Sequence, residues 1–438
     1  MKRLISTVLG VTAATSLLVG GCSSGSPAAS ASAGVPSGPV TLTLAGWSLS
    51  TTPEFKTLAD GFHAAHPNVT VQLKEYDATN YDTQMIADLA AHSAPDIYVL
   101  KNLKNFYTYQ SGGQLVDVSD VAKSLGSQVG GLSDYQVDGK TYAIPYRQDS
   151  WVLFYNKALF DKAGIAYPDG SWTWDKYVST SEQLTTSLKA KGSKAVGDYQ
   201  HLWQSTVQGF ALAQTPGAKL ASGDFSYLKP YYDRALALQS AGAQPTFGTV
   251  STNKLTYQAQ FGKQQAAMMP MGTWYIATLL KQQGNGDADT FPWGIAPAPQ
   301  FDASTTGTSA TPVTFGDPTG LGINPAISSD KVSAAKAFLE YAAGVQGAKS
   351  LAAIGITPAD TAAVAADFFS LKGMPSDSLS KFAFSTHDTK PENPVSKYTA
   401  QLQDMLNNLH TAVMSGSKGI AGAISDAQSQ AKSQILNQ

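Results

Sequence analysis

The stretch Val137–Trp174, VDGKTYAIPYRQDSWVLFYNKALFDKAGIAYPDGSWTW, places the strongest limits on the fold. Asp138-Gly139 between two apolar runs predicts a hairpin turn. Tyr142-Ala143-Ile144 runs into Pro145, which has no N–H and is expected to leave the ladder there. Tyr146-Arg147-Gln148-Asp149-Ser150 is a polar cluster with aromatics on either side. Trp151-Val152-Leu153-Phe154-Tyr155 reads as an apolar strand. Asn156-Lys157 then opens a short helical pattern through Ala163, closed by Gly164. A polar, aromatic-rich crossover between two apolar strands suits a hinge whose side chains face a cleft.

Around this stretch the chain alternates strands and helices. Val40–Leu44 alternates and ends at Ala45-Gly46-Trp47-Ser48. Thr52-Pro53 is the expected start of a helix carrying Phe55, Leu58, Ala59, Phe62 and Ala65 at helical spacing. His66-Pro67-Asn68 stops it, and Val69–Leu73 is a second strand, completing a βαβ unit. Asn80–His92 predicts a second helix, and Pro95–Leu100 a third strand followed by Lys101, Asn102 and Asn105. Ligands of open α/β sheets sit outside the carboxyl ends of the strands. Trp47, Ser48, Lys101 and Asn102 are therefore expected where a ligand would be met, with Tyr81 a further candidate. Downstream, Gly262–Trp274 (GKQQAAMMPMGTW) reads as a strand leading through a Gly turn to a Trp at a helix start. Phe315–Ile323 reads as a loop returning to a strand, and the chain after Pro394 as helical.

The whole order resembles the extracellular solute-binding proteins of bacterial ABC importers, in the family that includes maltose-binding protein. The resemblance rests on "DGK-Y-IP–polar linker–YNK–LF-KAG–P-TW", on "APD" before a short apolar run, on "QLVDVSD" at Gln114–Asp120 and on the "G-AAM–G-W" pattern. It implies an α/β, two-lobed periplasmic-binding-protein fold of type II kind, with lobes joined by a multi-crossing hinge. The implied crossings fall near Tyr146–Ser150, Pro312–Gly316 and Gly355–Pro358. The implied division is 40–148 and 313–356 for one lobe, and 149–312 and 357–438 for the other.

The N-terminus reads as a targeting segment over 1–21: Lys2-Arg3 precedes a mostly apolar run to Val19. Cys22, the only cysteine, follows Val19-Gly20-Gly21. It resembles a lipidated lipoprotein cysteine; the other reading is an ordinary signal cut nearby, leaving a free thiol. Residues 22–39, rich in Ser, Ala, Gly and Pro, read as a flexible tether. An extracytoplasmic, lipid-anchored monomer that delivers its solute to ABC permease membrane subunits is what the resemblance implies.

Composition narrows the ligand. Charged residues make up 14% of the chain, aromatics 10%, and the formal net charge is −2. There is no basic run to suggest a nucleic-acid partner. The six histidines are scattered, and His63 and His66 at a helix end are surface residues before they are metal ligands. No catalytic constellation, cofactor fingerprint or metal set emerges. Seven Trp residues at predicted strand ends and loops suit a neutral sugar, whose C–H faces stack on aromatics and whose hydroxyls bond planar polar groups. Trp274 carries the resemblance's stacking position, beside Tyr275; Trp47 is a cleft or a core residue, and Trp203 is open. Trp151, Trp172, Trp174 and Trp293 read as structural. Tyr146, Arg147 and Asp149 occupy the hinge, where either charged group would grip ligand hydroxyls or make an interlobe ion pair. Gly316 and Asp317 at the second crossing would approach a ligand or cap a turn. Other small solutes (polyols, polyamines, peptides) and a secreted glycoside-acting enzyme are the competing functions.

Overall fold

The computed structural model describes residues 34–50, 52–78, 80–362 and 364–437. Cys22, the leader and most of the tether lie outside them.

Two sheets with separate cores organise these residues. The strands are β1 (Val40–Trp47), β2 (Val69–Tyr76), β3 (Ile97–Leu100), β4 (Gln136–Val137), β5 (Lys140–Thr141), β6 (Ile144–Gln148) and β7 (Trp151–Asn156). They continue as β8 (Val196–Asp198), β9 (Ala266–Gly272), β10 (Trp293–Pro297), β11 (Val313–Phe315), β12 (Pro318–Ile323) and β13 (Asp388–Lys390). The first sheet has the order β2-β1-β3-β12-β6. β1 is parallel to β2 and β3, and β12 is antiparallel to β3 and β6. The second sheet has the order β10-β7-β9-β8. β11 and β13 form a small parallel pair beside it.

The βαβ unit arises as the sequence pattern dictates. Leu42 and Leu44 of β1 and Phe55, Leu58 and Phe62 of the helix Glu54–Ala65 bury together in the first core. Pro53, not Thr52, is the residue before this helix, and no side chain caps it. The expected hairpin is β4–β5. Asp138 and Gly139 both have positive φ, at 51° and 75°, the backbone a tight two-residue hairpin turn requires.

Pro145 corrects the expectation placed on it. It stays in β6, opposite Gly320. β6 is the last strand of its sheet, and an edge strand has one side on which no N–H is needed. The polar cluster therefore belongs largely to a strand, and only Asp149-Ser150 separates β6 in one sheet from β7 in the other.

Both cores reach the helix Val345–Ala352. Ala348 and Ala352 pack in the core under the second sheet, while Leu351 packs in the first. The long C-terminal helix Thr399–Met414 buries Leu402, Leu406, Leu409 and Val413 in the second core. Trp151, Trp172, Trp174 and Trp293 are buried there too.

Candidate functional site

The site is built where the two sheets meet. Asp149 and Ser150 pass from one sheet to the other, and Gly316 passes back beside them. A Cβ on Gly316 would lie 2.1 Å from the Asp149 carbonyl oxygen, so only glycine lets the two crossing backbones touch. Gly316 is thus a strand-crossing residue whose backbone packs directly on that of Asp149.

Asp317 is likewise fully engaged. Its carboxylate accepts from Leu103 N at 3.2 Å, Glu392 N at 2.8 Å, Asn393 N at 3.2 Å and Asn393 Nδ2 at 2.6 Å. It ties the loop after β3 to the segment after β13. Burial pushes this carboxyl up, and the four donors offset part of that.

The first crossing carries charge. Arg147 Nη1 donates to Glu54 Oε2 at 2.6 Å, and its Nε lies 2.9 Å from Asp149 Oδ2. That Nε has no aligned hydrogen-bond acceptor, so the contact with Asp149 is an ion pair alone. Asp149 Oδ1 accepts from Thr273 Oγ1 at 2.8 Å, which reaches the turn after β9. The chain of contacts Glu54–Arg147–Asp149–Thr273 thus joins a helix of the first sheet to a turn of the second. Burial works against the Arg147 charge, but Glu54 and Asp149 outweigh it and hold the guanidinium above its ordinary range. Burial pushes the Asp149 carboxyl up, with Arg147 and Thr273 opposing. The sequence offered a grip on hydroxyls or an interlobe ion pair; in the structure Arg147 pairs with both Glu54 and Asp149 and is 12% exposed.

One wall of the junction comes from the first sheet. Trp47 ends β1 with its ring edge-on to Phe55 and Tyr81, at centroid distances of 5.0 and 5.2 Å. Lys101 Nζ lies 4.9 Å from its ring centroid and donates to the Ala78 carbonyl at 2.7 Å. Burial pulls the Lys101 ammonium down, opposed by Asp82 and Asp77. Ser48 follows in the left-handed region at φ 49°, a conformation a non-glycine residue holds only where its surroundings impose it. Asn102 accepts from Lys104 N at 3.0 Å, closing the loop after β3.

The other wall is aromatic. Trp203 is 39% exposed, one of few large apolar side chains so open. His201 stands edge-on to it at 4.6 Å, and Tyr257 and Trp274 flank it at 5.5 and 6.3 Å. Trp274 is braced by Trp151, edge-on at 5.5 Å. Its ring lies over Gly272, where a Cβ would fall 1.8 Å away. This explains the Gly turn before the Trp. Burial raises the Tyr257 phenol, opposed by its hydrogen bond with Trp274 and then by the Arg147 charge.

Three expected site residues belong to the cores. Tyr81 is fully buried, and its hydroxyl accepts from Val99 N at 2.9 Å. Tyr146 is fully buried and donates to Glu54 Oε1 at 2.9 Å. Tyr275 is fully buried against Tyr257 and Phe154. Tyr146 and Tyr275 lie next to the junction residues Arg147 and Trp274 in sequence, but are themselves buried. The reading of the sequence missed Tyr257, His201, Thr273 and Glu54. His201 sits two residues from Trp203, a usable signal; Tyr257 has none. Among the described residues no group of three His, Cys, Asp or Glu converges as a metal site.

Comparison with known proteins follows this geometry. Residues 48–349 match the sequence profile of the bacterial extracellular solute-binding proteins. A sugar transporter of Rhizobium etli, solved in an open conformation, is 31% identical; the match covers 90% of this chain and 99% of that one, with a TM-score of 0.75. A putative binding protein of Brucella abortus is 28% identical over 138 residues, 31% of this chain and 33% of the relative. The multiple sugar-binding protein of Streptococcus mutans is 23% identical over 264 residues, 58% of each chain. The alignment thus spans about a third of the Brucella relative's length.

Proposed function

The chain belongs to the bacterial extracellular solute-binding proteins, and from that premise we propose that it captures a mono- or oligosaccharide between two lobes and delivers it to an ABC permease. The observation that carries this reading is the aromatic wall of Trp203, Trp274 and Tyr257, with the Trp203 ring open to solvent. Aromatic faces take up the apolar face of a pyranose, and polar edges take its hydroxyls. The likeness to a sugar transporter and a multiple sugar-binding protein supports the same ligand class.

In this reading one lobe comprises 40–148 and 313–356, the other 149–312 and 357–438. Closure turns on Asp149-Ser150, Gly316 and the segment after Ala352. Trp47, Ser48, Asn102, Arg147, Trp203 and Trp274 line the ligand, with His201 and Tyr257 added. Asp149 acts through Arg147. Binding shifts the population toward the closed form, without bond chemistry. Glu54 and Asp149 are buried and paired with Arg147, which does not suit an acid/base pair flanking a glycosidic bond. The protein works as a monomer outside the cytoplasmic membrane. Residues 1–21 are cleaved, Cys22 is lipidated, and 22–39 tether the body to the membrane.

A thermal-shift screen against sugars, polyols, polyamines, amino acids and phosphates tests the ligand class. Sugars alone should raise the midpoint, since a ligand at a hundredfold excess over Kd stabilises by about 2.7 kcal/mol. A rise with charged solutes alone would overturn it.

A further inference from the structure

A small cavity is bordered by Gln204, Gln208, Gln403, Tyr227 and Glu392, with Gly209 and three leucines completing its lining. It offers about 10 Å³ to the centre of a water-sized body, room for one such body.

The orientation of its three amides is fixed by their partners. Gln208 Nε2 donates to the Leu406 carbonyl at 2.8 Å and to Tyr232 Oη at 2.7 Å. Gln403 Nε2 donates to the Glu392 carbonyl at 3.0 Å, so its oxygen faces Gln204 and accepts from Gln204 Nε2. A carbonyl oxygen can only accept, so none of these amides can flip without losing a bond. The relay leaves Gln204 Oε1 and Gln208 Oε1 buried and without a partner. Gln208 is only 6% exposed and Gln403 only 4%. Both free oxygens belong to side chains lining the cavity that the Glu392 side chain also borders.

The charge around the cavity is unbalanced. Asp317 is satisfied only by neutral amide donors. Lys104, the nearby cation, is paired with Asp404. Glu392 accepts from Ser205 Oγ. Two acceptor oxygens, one carboxyl group and a negative surrounding call for a positively charged guest. One carboxylate with neutral amide oxygens suits a monovalent ion rather than a divalent or transition metal.

We propose that this cavity binds one monovalent cation of sodium or potassium size, held by Gln204 Oε1, Gln208 Oε1 and the Glu392 carboxylate. Gln204 and Ser205 directly follow Trp203, so the ion steadies the turn that presents the aromatic wall.

The test is thermal unfolding of the full chain in detergent, without sugar, in sodium, potassium or choline chloride at one ionic strength. Sodium or potassium should raise the midpoint over choline by on the order of 2 °C per tenfold increase above Kd. The rise should be absent in Glu392→Gln, which keeps a partner for Ser205. Broadening of the ²³Na resonance by the unaltered protein, reversed by potassium, reads the site without any variant. Identical midpoints in all three salts together with an unbroadened resonance would mean a water molecule fills the cavity, overturning the proposal. Because no sugar is present, this result stands apart from the outcome of the sugar screen.

Discussion

Trp47, at the end of β1, and Trp203, on the aromatic wall, are held in opposite ways. Trp47 is wedged between Phe55 and Tyr81, with the Lys101 ammonium over its ring. Trp203 is braced from the side by His201 and Tyr257 and is 39% exposed. The first wall spends its aromatic side chain on packing and presents charge. The second presents an aromatic surface. The same residue type at two strand or loop ends therefore does different jobs, decided by which face its neighbours leave open.

Removing charge from the first wall should have the largest effect. Arg147→Met leaves Glu54 and Asp149 buried without their cation. Stability should fall by about 3–5 kcal/mol, read by urea unfolding. A loss under about 1 kcal/mol would mean the crossing is held by packing, and the contrast between the walls would weaken.

The aromatic wall should respond in the opposite sense. Trp203→Ala removes an exposed ring, so its unfolding midpoint should stay close to the parent's. Sugar affinity should drop about 30-fold, near 2 kcal/mol. A variant that loses stability and keeps its affinity would reverse the roles assigned to the two tryptophans.

How much of this was legible in the sequence follows from the range of the contacts involved. The unit β1–helix–β2 was, because Leu42, Leu44, Phe55, Leu58 and Phe62 repeat at local spacings that decide which face is buried. The β4–β5 turn was, because Asp138-Gly139 needs no distant partner. Tyr81 and Tyr275, which open helices, and Tyr146, in a strand, are buried in the cores, because nearness to a strand end or turn does not say which way a ring points. Gly316 and Asp317 were noticed for a ligand, yet their work is backbone crossing and amide capture across long sequence distances. Tyr257 joins Trp203 and Trp274 only through tertiary folding, so no local pattern could announce it.

The smallest effect sharpens the comparison by pH. Burial pushes the His201 ring on the aromatic wall down to about 4. Its folded value lies below its unfolded one, so the native state binds fewer protons. The stability it contributes is present near pH 7 and lost as pH falls from about 6.5 towards 4. His410, buried elsewhere in the second core and also lowered to about 4, adds to the same slope. His201→Gln should remove its share of the slope in urea unfolding series, and His410 should keep the rest. An unchanged slope would mean the His201 ring titrates normally and the wall is wetter than its packing indicates.

The most direct test is calorimetric titration of the protein with the sugar that raises its midpoint, at several temperatures, with recovery of the sugar afterwards. Capture on an aromatic wall predicts saturable binding, a negative heat-capacity change from the buried ring surface, and sugar returned intact. Heat that continues without saturation while the sugar is consumed, or no heat with any sugar, would contradict it.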